Sequence, residues 1–139
     1  VRVVSFTVPG QPVAKGRARI STFGGHVRSY TPEKTRRYEN QVSAYAAEAM
    51  RNVPPMGGPV EVVVDAHMLV PKSWSLKKRL AAIAGQIKPT TKPDLDNIVK
   101  ALDGMNGIVV VDDSQIVKLT ATKQYAEIPQ LIVSVIGQE

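Results

Sequence analysis

The sequence contains no cysteine. That single absence excludes disulfides, thiolate zinc sites, iron–sulfur clusters and a cysteine nucleophile. Histidine is almost as scarce: His26 and His67 are the two imidazoles, far apart and without ligand-like spacing. A metal site in this chain must therefore be built mainly from oxygen, which favours magnesium, calcium or manganese. No apolar run approaches the ~18 residues that a membrane span needs. The opening Val1-Arg2-Val3-Val4-Ser5 is too broken by polar residues to read as a secretory signal. Acid is in short supply as well, with 12 acidic against 18 basic residues and a net charge of +6.

What is present describes an ordinary globular protein: 139 residues, 43% hydrophobic and 22% charged. The length fits one domain, residues 1–139, large enough to build its own core. The charge is unevenly spread. Residues 1–37 hold eight basic side chains against Glu33 alone, net +7, which leaves −1 for the remainder. A basic pole beside a near-neutral body suits a polyanion such as nucleic acid, with a merely solubilising basic surface as the plain alternative.

The apolar pattern sets out the elements. Residues 1–8 read as a strand with Val4, Phe6 and Val8 on one face, and the glycine- and proline-rich residues 9–30 as a long loop or irregular hairpin. Thr31-Pro32-Glu33 opens a helix, with Thr31 as its cap, and Tyr38, Val42, Tyr45, Ala46 and Ala49 keep helical spacing. Val60–Val70 is apolar enough for a strand inside a sheet. Ser73 or Ser75 caps a short basic helix carrying Leu76, Leu80 and Ile83. Leu95, Ile98, Val99, Leu102 and Met105 form the core stripe of a third helix, stopped by Asn106-Gly107. Strands over Ile108–Val111, Gln115–Tyr125 and Leu131–Ile136 follow. This order predicts an α+β fold, one mixed sheet with helices packed against it.

Lys92-Pro93-Asp94-Leu95-Asp96-Asn97-Ile98-Val99-Lys100 carries the strongest chemical signal. Inside one helix Asp94 and Asp96 would point ~200° apart. They converge if Asp94 is the N-cap and Asp96 lies in the first turn, and Pro93 favours such an entry. Asp96 and Lys100 are then i, i+4 neighbours. Asp103, ~10.5 Å further along the axis, is too distant for a common ion and reads as surface. Asp112 and Asp113 follow the next strand, and alternation lets one of the two reach the same site without saying which. Caps, turns and an ordinary ion pair would explain each piece separately. Together, in a cationic chain, gathered carboxylates call for a neutralising divalent cation.

These residues resemble the RusA family of Holliday-junction resolvases of phages and prophages. The likeness runs through most of the chain: Phe6-Thr7-Val8-Pro9-Gly10, Lys15-Gly16-Arg17, Tyr30-Thr31-Pro32, the Asp94-x-Asp96 segment with Lys100, Asn106-Gly107-Ile108, and Asp112-Asp113-Ser114-Gln115. Asp-x-Asp alone is common; the ordered set is specific. Two departures are a link from Lys100 to Asp112 about a residue shorter than in many relatives, and Val109-Val110-Val111 in place of more polar or aromatic residues.

The resemblance implies a homodimeric, Mg²⁺-dependent endonuclease, with Mn²⁺ as substitute, that nicks two strands of a four-way DNA junction symmetrically in the bacterial or phage-infected cytoplasm. It implies Asp94, Asp96 and Asp113 as metal-binding catalytic acids, Asp112 as the alternative to Asp113, and Lys100 as catalytic lysine. Lys15, Arg17, Arg19 and Arg28 would hold backbone phosphates. Tyr30 and Trp74 are candidates for stacking on bases, whereas Tyr38 reads as core. Two rival expectations are a non-catalytic DNA-binding module and a metal-dependent nuclease acting on flaps or other branched DNA.

Overall fold

The computed structural model describes residues 1–16 and 19–138, with the backbone alone at Arg19, Phe23 and Arg28. Its strands are β1 (Arg2–Pro9), β2 (Arg19–Phe23), β3 (His26–Tyr30), β4 (Val60–Leu69), β5 (Ile116–Ala126) and β6 (Gln130–Gly137). Its helices are α1 (Glu33–Met50), α2 (Leu76–Ile83) and α3 (Leu95–Lys100). Four strands form one sheet in the order β1-β6-β4-β5, and β2 and β3 make a separate hairpin within the glycine-rich stretch. β6 lies antiparallel to both β1 and β4, while β4 and β5 run parallel. A parallel pair needs a crossover, and here that crossover contains α2 and α3. The result is the expected α+β architecture with a mixed sheet.

The two central strands alternate strictly. On β4, Val60, Val62, Val64, Ala66 and Met68 are buried, and on β6, Leu131, Val133 and Val135 are. Tyr38, Val42, Ala46 and Met50 of α1 join the same core, one side chain per turn of the helix, with Ile98, Leu102 and Met105 completing it. Both edges of β4 are paired, and its face turned away from this core carries Glu61, Asp65 and His67, so the strand is less continuously apolar than its composition suggested. Among the described residues no helix is long and apolar enough to cross a membrane.

Three local expectations need correction. The cap of α1 is Pro32 rather than Thr31, so the helix begins one residue later than the cap signal implied. The third helix does not stay α-helical to Met105: it tightens into a 3-10 turn over Ala101–Met105. Within that turn Gly104 packs against α1: a Cβ there would sit 2.5 Å from the Glu39 carbonyl oxygen. A glycine lets this turn press directly on α1, and the Ser43 hydroxyl donates to the Gly104 carbonyl at 2.7 Å. Finally, Ile108–Val111 is not a strand. Val110 makes single bridges to Met56 and Asn106, and the amides of Ile108 and Val109 both donate back to the Met105 carbonyl. Val109 and Val110 are buried as a plug under the turn, so their apolar character reflects burial without a ladder.

Ser75 is the cap of α2, its hydroxyl accepting from the Lys78 amide at 3.3 Å. That helix buries Ala82 but leaves Leu76, Leu80 and Ile83 exposed. Trp74 packs edge-on against Tyr125, with ring centroids 5.3 Å apart, and carries the Lys78 ammonium 4.0 Å above its ring. This aromatic is engaged within the fold. Tyr30 is exposed at the end of β3, and Tyr38 is buried as expected.

Candidate functional site

Residues 11–16 run between α1 and α3 and are tied to both. The Lys15 amide donates to the Asn97 carbonyl at 2.8 Å, and the Gly16 amide donates to the buried Thr35 hydroxyl at 2.8 Å. Between these segments opens a cleft of about 870 Å³ whose wall includes Lys15, Lys34, Thr35, Lys92, Asp94 and Asn97. Among the described residues Asp94 is the one acid in that lining, whose other charged residues are three lysines among mostly uncharged ones. It occupies the N-cap of α3 with an extended backbone, Asp96 lies in the first turn, and both are exposed. Among the described residues the Asp94 carboxylate makes no capping hydrogen bond, so it is free for other chemistry.

A smaller hollow of about 160 Å³ lies on the other side of the α3 turn, with Lys100, Asp103, Asn106 and Asp113 over an apolar floor of Val62, Val99 and Leu102. Lys15 links the two spaces. Its ammonium donates to Asp103 at 2.7 Å and lies 3.8 Å from Glu39. The hydrogen bond to Asp103, together with the charges of Asp103, Glu39 and Asp113, raises the Lys15 pKa against the opposing effect of burial. Asp103 is therefore half-buried and ion-paired, not the plain surface residue that its position along the helix suggested.

The adjacent acids Asp112 and Asp113 have different surroundings. Asp112 caps a 3-10 turn over Asp113–Gln115: its carboxylate accepts from the Ser114 amide at 3.1 Å, which lowers its pKa. Gln115 completes the capping box by accepting from the Asp112 amide at 2.9 Å. The same Gln115 amide group donates to the carbonyls of Met56 and Gly58, both at 2.8 Å, and pins the turn to the segment before β4. Asp112 is occupied by this local work, whereas Asp113 faces the hollow containing Lys100.

The metal expectation meets a definite geometry. The donors are all carboxylates, the right chemistry for a hard divalent cation. Yet among the described residues no three acidic or imidazole side chains come close enough to hold one ion. Asp94 lines the large cleft and Asp113 the small hollow. A preformed three-carboxylate cage of Asp94, Asp96 and Asp113 does not fit this arrangement. Counting chain positions brought the acids to one end of the fold but could not say whether they met.

Of the expected phosphate contacts, Lys15 stands in the cleft wall with its ammonium already paired to Asp103. Arg17 lies outside the described residues; Arg19 and Arg28 stand on β2 and β3. The cleft also contains two lysines that the charge count did not single out, Lys34 in the first turn of α1 and Lys92 just before Asp94. In the sequence Lys34 is one of eight charges in the basic segment, and Lys92 lies two residues before Asp94 at the head of the acidic motif.

Comparison with known proteins agrees with this reading of the chain. Residues 9–136 match the family model described as endodeoxyribonuclease RusA. The chain is 41% identical over 135 residues to the Bacillus subtilis (strain 168) protein YqaN, covering 95% of this chain and 94% of that one, and YqaN is itself described as uncharacterized. Nucleases of the RusA family act on branched DNA and are in general metal-dependent. With nearly the whole chain matched, this protein belongs to the RusA family of endodeoxyribonucleases.

Proposed function

We propose that this chain is a Mg²⁺-dependent resolvase that cuts four-way DNA junctions by paired, symmetric phosphodiester hydrolysis, acting as a homodimer in the bacterial cytoplasm. The observation that carries this reading is an exposed, uncapped Asp94 in a cleft whose other charged lining residues, among those described, are Lys15, Lys34 and Lys92. Lysines gather a phosphate backbone without reading its sequence, and the carboxylate stands where that backbone would pass. Asp94, Asp96 and Asp113 are proposed as acidic ligands that gather only when the ion binds, since no preformed cage joins them, and Lys100 is the proposed catalytic lysine. Lys100 stands in the same hollow as Asp113. Its ammonium would stabilise charge building on the phosphate during the reaction. Lys34 and Lys92, with Arg17, Arg19 and Arg28, are proposed to hold backbone phosphates, each contributing to the salt dependence of binding.

The test is cleavage of a mobile four-way junction, a flap and plain duplex by the wild type and Asp94→Asn, with Mg²⁺ or with EDTA. Paired nicks on the junction, lost in EDTA and lowered by roughly 100-fold or more in the variant, are expected. A wild type that binds the junction but never nicks it with Mg²⁺ or Mn²⁺ would identify a non-catalytic DNA-binding module. Preferential cutting of the flap would identify the broader branched-DNA nuclease instead.

A further inference from the structure

Lys123 breaks the pattern of its strand. Along β5, Leu119, Ala121, Lys123 and Tyr125 pair with the buried Val62, Val64, Ala66 and Met68 of β4, which puts Lys123 on the face where Leu119 lies beside Val99 of α3 and Tyr125 meets Trp74. Its neighbours Thr122 and Gln124 lie on the opposite face, where both donate to Asp65. A lysine on the helix-covered face has to satisfy its ammonium there. It does so with two backbone carbonyls: it donates to Thr91 at 2.8 Å and to Pro93 at 3.0 Å. These carbonyls flank Lys92, and Pro93 immediately precedes Asp94.

We infer that Lys123 is a positioning residue that clamps the turn carrying Asp94, fixing where the carboxylate stands in the cleft. The inference deepens the nuclease reading and rests on it for its catalytic consequence. α3 has only six residues and its first backbone bond runs from the Ile98 amide to the Asp94 carbonyl at 3.1 Å. So short a helix holds its own first turn weakly. Residues 91–93 have no regular ladder to hold them. The two charge-assisted bonds from β5 tie this turn to the sheet. With two of three donors committed, Lys123 is poorly placed to serve as a phosphate ligand itself.

The experiment compares wild type, Lys123→Met and Lys123→Arg in full-length protein. Three quantities are read: single-turnover junction cleavage, junction affinity, and amide hydrogen exchange along residues 94–100. Methionine keeps the stem and removes the donors; arginine restores donors to the same carbonyls. Lys123→Met should cut roughly 10- to 100-fold more slowly at unchanged affinity. It should also exchange the Ile98 amide roughly tenfold faster while core amides keep their protection. Lys123→Arg should recover both quantities in large part. Wild-type exchange in Lys123→Met would overturn the clamp, as would a loss of affinity that accounts for the loss of rate. Exchange needs no substrate. A wild type that fails to cut junctions would therefore sink the nuclease reading alone, while local loosening reversed by arginine would still establish the clamp.

Discussion

The body of the sheet and the turns around α3 are held together by different forces. Between α1 and the sheet, stability comes from area: Val60, Val62, Val64, Leu131 and Val133 are fully buried, each contributing about 1.5–3 kcal/mol on leaving water. Around α3, Ile98, Leu102 and Met105 still reach the core, but the turns that carry the site are set by single polar contacts: Lys15 to Asp103, Gly16 to Thr35, Gln115 to Met56 and Gly58, Lys123 to Thr91 and Pro93. Burial is distributed and forgiving of sequence as long as volume is kept. A polar tether is directional and lost with one atom. The candidate site lies wholly in the second kind of region, so changes there should affect activity more than folding, and changes in the sheet should do the reverse.

The sharpest way to break this division is a truncation in the sheet. Leu131→Ala should cost about 2–5 kcal/mol of unfolding free energy in a urea titration, through lost transfer energy and a residual cavity. Asp94→Asn, the cleavage-deficient variant proposed above, should unfold at the same urea concentration as wild type. If it unfolded earlier, the site would be part of the structural frame and the division would fail.

A smaller effect is expected where the two regions touch. Gly104→Ala would bring a methyl group against the Glu39 carbonyl and the Ser43 side chain, so either the 3-10 turn or α1 must move. Overpacking of this kind should cost about 1–3 kcal/mol, read by the same titration. Loss of junction cleavage beyond what the destabilisation explains would show that this contact also sets the site.

The smallest effect is a pH dependence. The Tyr38 hydroxyl is buried and makes no hydrogen bond of good geometry among the described residues; burial pushes its pKa up from 10.0 to about 12, with the nearby Val13 backbone opposing the rise only weakly. A group whose folded pKa is raised stabilises the protein fully below its unfolded pKa and loses that contribution as pH climbs through the folded one. Stability should therefore fall between about pH 10 and 12 through this phenol. Tyr38→Phe should flatten the fall in thermal melts across that range and, by removing an unpaired polar atom, leave stability at neutral pH unchanged or up to about 1 kcal/mol higher.

Much of the fold was legible in the sequence because burial leaves a period behind. The alternation along β1 and β6 and the helical spacing from Tyr38 to Met50 each mark a face turned to the core, and the structure buries those faces. The Ile108–Val111 run misled because a buried plug and a buried strand have the same composition. Part of the site was legible as well: Pro93 and the Asp-x-Asp spacing anticipated Asp94 at the cap and Asp96 in the first turn. The placements of Lys34, Lys92, Asp103 and Lys123 were not, since the neighbours of a charged side chain are set by the tertiary fold. Lys123 did leave one trace, a charge standing in the covered register of its strand.

By itself, the sequence determined most of the strands and helices, which faces of them turn inward, and that any metal here must be bound mainly through oxygen. These are properties of neighbours along the chain, set by residue type and spacing. The tertiary structure alone decided that Asp112 is spent on a cap while Asp113 stays open, that Lys15 is paired with Asp103, and that Asp94 and Asp113 line separate spaces. Those outcomes depend on how the crossover from β4 to β5 closes and where each turn is tied down. Such contacts join residues distant in the chain, and no local pattern encodes their distances.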